Sequence, residues 1–153
     1  MMAAPDGSIY CASLVAGYIG RVDPQTGSAT ALTPPTPGQG ARRVWSDSSG
    51  RVWVSEWSAG QVASYDPATN QWREWKLLGD KPQAYAVCVD DHDFVWLSDW
   101  CSNAIVRDPT LEAFDVVTLP STPANVRQLP GRPGEVWAAE SGADKLIVLR
   151  TGS

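Results

Sequence analysis

Three acids recur at one point of a repeated phrase: Glu56 in "VWVSEW", Asp99 in "VWLSDW" and Glu140 in "VWAAES". Carboxylates brought to one place raise one another's pKa or recruit a hard cation such as Mg²⁺ or Ca²⁺. Arg42, Arg43 and Arg127 lie upstream of these acids, on what would be neighbouring first strands. A second outcome is therefore that the acids pair with these guanidinium groups or cap turns, as ion-pair networks do away from functional sites. Either outcome needs elements that carry the residues to a common place.

Those elements are visible in the repeat. The phrase around Trp53 returns at Tyr10 and at Trp96, 43 residues to either side, and again at Trp137 after 41 more. A period of about 40–45 residues is the length at which four short strands repeat as the blades of a propeller. In the second copy, period-2 patterning and turn residues predict strands at 41–47, 51–57, 61–66 and 71–77, with "SSG", "SAG" and "PATN" between them. The fold expected is all-β, a partial β-propeller over 1–153 with repeats at 6–40, 41–83, 84–124 and 125–150. Ile19, Val62, Ile105 and Leu146 fall at equivalent third-strand positions and are expected in the core, with Trp53, Trp96 and Trp137.

Composition agrees: 13 Gly, 12 Pro and 8 Trp in 153 residues leave little room for helix. A net charge of -5 and a pI near 4.7 argue against nucleic acid or an anionic membrane as partner. The chain has no long apolar run and no signal-peptide pattern, so a cytoplasmic location is the default. Cys11, Cys88 and Cys101 sit at unrelated repeat positions beside a single histidine, which predicts free thiols and no zinc site.

Copy one is expected to begin at its second strand and copy four to stop after its third, giving about three and a half blades and fourteen strands. An open stack of that kind exposes an apolar blade face at each end. Self-association covering those faces, or membership of a longer propeller, would resolve this; fourteen is half the strands of a seven-bladed ring. The missing residue in "NAIVRDP" is expected to shorten a turn or flip part of a strand, making copy three the least regular.

The phrases "DSSGRVWVSEWSAGQVASYDPATNQWREWKL" and "GRPGEVWAAESGADKLIVLR" resemble the blades of the streptogramin lyase family, and the chain resembles the C-terminal half of that seven-bladed propeller. The resemblance implies a C–O lyase that opens cyclic depsipeptide antibiotics at the ester, with a base removing an α-proton and Mg²⁺ stabilising the enolate. It also implies a histidine 14 residues before an acid in the last blades. Here those pairs are Arg42 with Glu56, Tyr85 with Asp99, and Val126 with Glu140.

The acid is present in each pair and the histidine in none. Arg stays protonated, Val does not titrate and Tyr has an ordinary pKa of about 10. The sole histidine, His92, lies in "VDDHDF", a turn between first and second strands. Two functional classes follow. In the first, the chain is a lyase relative with Glu140 as its one retained catalytic residue. In the second, it is a non-catalytic propeller segment binding a small molecule, peptide or protein where first and second strands converge, with Glu56, Asp99, Arg42, Tyr85 and Arg127 as the ligand-binding set. A sugar-lactone hydrolase of the calcium propellers is a third reading, which the offset positions of Asn103 and Asn125 do not favour.

Overall fold

Alternation decides which side of each strand is buried, and here both sides are. In Val52–Glu56 (β6), Val52, Val54 and Glu56 point to one side and Trp53 and Ser55 to the other, and all five are buried. Such a strand needs a neighbour on each face. The computed structural model describes residues 1–111 and 113–151 and supplies those neighbours as four antiparallel sheets. Sheet one runs β1 (Met2–Ala3), β2 (Ile9–Ser13), β3 (Tyr18–Val22) and β4 (Ala29–Leu32). Sheet two runs β5 (Ala41–Ser46), β6, β7 (Gln61–Asp66) and β8 (Gln71–Lys76). Sheet three runs β9 (Ala84–Val89), β10 (Val95–Asp99), β11 (Ala104–Arg107) and β12 (Asp115–Thr118). Sheet four has β13 (Gly131–Arg132), β14 (Glu135–Glu140) and β15 (Lys145–Arg150).

The order within each sheet follows the chain, as in a propeller blade. Inner strands crowd together, with β5 packed on β9 and both β1 and β2 on β5, while β4 and β12 lie at exposed outer edges. Among the described residues there is no helix, and none long and apolar enough to cross a membrane.

Among the described residues fifteen strands replace the fourteen expected. Copy one has its own first strand, β1, formed by residues ahead of position 6 and paired Met2 with Tyr10. Copy four has the weakest first strand, reduced to a bridge from Val126 to Glu140 and the two residues of β13. Pro130, just before β13, has no N–H to give to a ladder.

In sheets two and three one aspartate closes the inner hairpin. Asp47 Oδ1 accepts from the amides of Ser49 and Arg51, and its Oδ2 from Trp53 Nε1 at 3.0 Å. Asp90 repeats this with His92, Phe94 and Trp96. One carboxylate thus fixes the turn and the indole that packs the next blade. In copy four Glu135 takes over the indole of Trp137.

The residue missing from copy three shortens a strand end and flips nothing. Ser98 still pairs with Ile105, as Ser55 pairs with Val62. Asp108 stands where Tyr65 would, donating its amide to the Val95 carbonyl, with φ at 53°. That left-handed conformation ends the strand, and Asp is among the few side chains that tolerate it.

Ile19, Val62 and Ile105 are fully buried between blades, each packed on the following sheet. Leu146 is not: it is 63% exposed. It holds the equivalent place, opposite Ala139, but among the described residues no sheet packs on that side of sheet four. Trp53 and Trp96 are buried, whereas Trp137, on the same uncovered face as Leu146, is only half-buried. All three cysteines are free thiols.

Candidate functional site

The three acids end their second strands as expected, yet each turns to a different partner. Glu56 is fully buried and accepts from Gln61 Nε2 through one oxygen, while its other oxygen has no partner among the described residues. Gln61 also reaches Thr36, which in turn donates to Glu74 through both its amide and its hydroxyl. Burial, with the charge of Glu74 adding to it, pushes the Glu56 carboxyl up to about 8. Asp99 caps a turn: Oδ1 accepts from the amides of Gln83 at 2.7 Å and Cys101 at 3.1 Å, and Oδ2 from Ser102 Oγ at 2.6 Å. Glu140 is buried against the Val126 bridge, and neither of its oxygens has a partner among the described residues.

These acids do not assemble a cation site. The one group of three ligating side chains with atoms within 4.8 Å of one another, among the described residues, is Asp90, Asp91 and His92 on a largely exposed turn. Nor do Glu56, Asp99 and Glu140 form ion pairs with Arg42, Arg43 or Arg127 among the described residues. A divalent ion needs several convergent oxygens, whereas those of Asp99 are already taken by three donors.

What does assemble is a cationic and aromatic surface. In the inner strands of sheets two and three the register slips, between Ala41 and Arg43 opposite β6 and again opposite Leu97 and Asp99. A bulge re-aims the extra side chain, and the slips fall at Arg42 and at Tyr85 with Ala86. The ring of Tyr85 stacks on Trp100 at 4.6 Å with 9° between planes, and Trp57 meets both edge-on at 5.5 and 5.4 Å. The guanidinium of Arg42 lies 4.1 Å over the Tyr85 ring and donates to its hydroxyl. Arg43 lies 5.6 Å from the same ring, and Arg127 5.6 Å from that of Trp100. Such contacts hold a cation over an aromatic face without neutralising its charge.

Arg43 and Arg127 also line a recess of about 240 Å³ walled by Trp45, Val87, Leu129 and Pro130. A larger recess of about 510 Å³ lies on sheet one around Arg21, but that arginine is already paired with Asp6 at 3.3 Å. Of the candidate residues, Arg42, Tyr85 and Arg127 are thus brought into one cluster, and among the described residues Glu56, Asp99 and Glu140 make no hydrogen bond or ion pair with it. Trp57 and Trp100 complete the cluster, and sequence reasoning passed over them. Their signal was the recurrence of Trp directly after the acid, "SEW" and "SDW", at a 43-residue spacing.

Sheets, order and inner cluster together define a stretch of β-propeller with a cationic, aromatic inner face. Its three-dimensional likeness is to virginiamycin B lyase from Staphylococcus aureus. A selenomethionine-substituted structure of that enzyme superposes with a TM-score of 0.84 at 17% identity over 99% of this chain. A catalytically inactive variant with quinupristin gives 0.87 at 19% identity, also over 99%. YCF48 bound to D1 peptide gives 0.78 at 14% identity over 98%. The chain spans about half the length of these structures, 55%, 51% and 49% respectively. No protein-family model and no curated protein matches the sequence. At such identities the likeness establishes the fold, the same propeller architecture as the streptogramin lyases.

Proposed function

We propose that this chain is a ligand-binding propeller segment without the base-catalysed elimination of the streptogramin lyases. The observation that carries this is the inner cluster itself. Where the family resemblance implies histidines stand Arg42, Tyr85 and Val126, and the first two are engaged with each other. A general base must be able to take a proton within hydrogen-bond reach of the substrate. Arginine is already protonated, and Glu140, the retained acid, is buried beside the Val126 bridge. Binding needs none of this, and stacked rings under cations supply a ready surface for it. The test is incubation with quinupristin and Mg²⁺, followed by chromatography. Intact lactone is expected; conversion to the ring-opened product at a rate proportional to protein would overturn the reading.

A second reading rests on a different observation, the uncovered face of sheet four. Leu146 (63% exposed) and Val148 (36%) lie there with Ala139 and Trp137. The same positions in sheets one to three are each sealed by the next sheet. Ile9, Cys11 and Val22, on the opposite side of sheet one, are half-buried and uncharged. They hold the places of Val52, Val54 and Tyr65, with which sheet two covers sheet one. The chain thus carries both halves of one repeating interface, which favours head-to-tail self-association. Sedimentation velocity should show a mass above that of the monomer, rising with concentration, and Leu146→Glu should return it to the monomer. A concentration-independent monomer for the parent chain removes this reading.

A further inference from the structure

Resting on the ligand-binding reading, we infer that the inner cluster selects an aromatic anion, a planar apolar body bearing one carboxylate, over its neutral counterpart. Three guanidinium groups converge on a stack of aromatic rings, and among the described residues none of the three has a carboxylate partner. Arg42 presents one face to Tyr85, which leaves most of its N–H edge for an acceptor. Arg43 is the strongest sign: its Nε is buried and has no hydrogen-bond partner. A buried donor without an acceptor is costly, and a bound carboxylate would supply one.

The rest of the ligand follows from what adjoins these arginines. Arg43 and Arg127 stand at the edge of the recess formed by Trp45, Val87, Leu129 and Pro130, which offers apolar walls and no carboxylate. An anion held by Arg43 and Arg127 would therefore project an apolar body against Trp45 and Leu129. Trp57 and Trp100, both half-buried, present further ring surface. Cations are disfavoured by the same three charges. Long polyanions are disfavoured by the net charge of -5 on the whole chain.

The probes are 2-naphthoate and its neutral isostere 2-naphthamide, titrated against the full chain by calorimetry and by tryptophan fluorescence. Naphthoate is expected to bind at least 10-fold more tightly than the amide, with affinity falling as NaCl is raised. Arg127→Gln, at an exposed position that leaves folding intact, should weaken naphthoate about 10-fold and leave the amide unchanged. Arg43→Gln should act in the same direction, with thermal unfolding confirming the fold. Equal affinity for the two probes would overturn anion selection while leaving the cluster a binding site. Absence of binding by either at millimolar concentration would overturn both the inference and the reading beneath it.

Discussion

Stability of this chain should fall as pH rises from about 5 to about 8, and Glu56→Gln should abolish most of that fall. Glu56 has a folded-state pKa of about 8 against 4.5 for the free side chain. Between those values the folded chain keeps a proton that the unfolded chain has released. Each pH unit in that window therefore subtracts about 1.4 kcal/mol from stability, and the loss is complete above the folded pKa. Summed across the window it is roughly 5 kcal/mol, an upper figure because relaxation around a buried charge reduces it. Of the groups facing Glu56, Gln61 donates to one oxygen and offsets part of the shift, burial outweighs it, and Glu74, behind Thr36, adds a like charge. Asp6 and Asp93 are shifted the other way by hydrogen bonds, chiefly from Ser8 and Ser48, so their stabilisation is lost only in acid, below the Glu56 window.

Glutamine at 56 keeps an acceptor for Gln61 and carries no titratable proton. Urea unfolding of Glu56→Gln should match the parent at pH 5 and exceed it at pH 8.5. The midpoint of thermal unfolding at pH 8.5 should be higher by on the order of 10 °C. Parallel stability curves for the two proteins across this range would mean that Glu56 is ionised in the fold.

Blades, core ladder and the places of Trp53 and Trp96 were legible because a 43-residue period repeats the pattern of burial as well as of residue type. Leu146 shows where that reading stops. Its position in the pattern is that of Ile19, but burial depends on a neighbour that the pattern within one blade does not specify. The site was half legible for a more local reason. A spacing of 14 pairs Arg42 with Glu56 in the sequence, but the bulge places Ala41 opposite Glu56 and Ala84 opposite Asp99. One extra residue in an inner strand thus turned Arg42 and Tyr85 toward each other and away from the acids. The protonation of Glu56 was not legible either, since it comes from burial and from the charge of Glu74, which lies 18 residues away in the sequence.

The bulges are held by two buried serines, and their loss should be the most damaging small change in the chain. Ser55 Oγ accepts from the amide of Arg43 at 3.1 Å and donates to the carbonyl of Tyr85 in the next sheet at 2.6 Å. Ser98 Oγ accepts from the amide of Ala86 and donates to the carbonyl of Val126, both at 2.9 Å. Each hydroxyl satisfies a bulge amide and ties its blade to the following inner strand. Removing it leaves two buried backbone groups short of a partner, at about 1–3 kcal/mol apiece. The two sites are not equal, however. The Val126 carbonyl also accepts from Trp100 Nε1 at 2.8 Å, so Ser98→Ala orphans only the amide of Ala86. Ser55→Ala should therefore cost about 2–4 kcal/mol in urea unfolding and Ser98→Ala about half as much. Because Ser55 joins the backbone of Arg43 to that of Tyr85, its loss should also weaken naphthoate binding at temperatures where the chain remains folded. Ser98→Ala, which leaves both of those residues anchored, should change binding much less. Equal destabilisation by the two, or a Ser55→Ala chain as stable as the parent, would mean that the bulges are set by packing and that the serines merely fill space beside them.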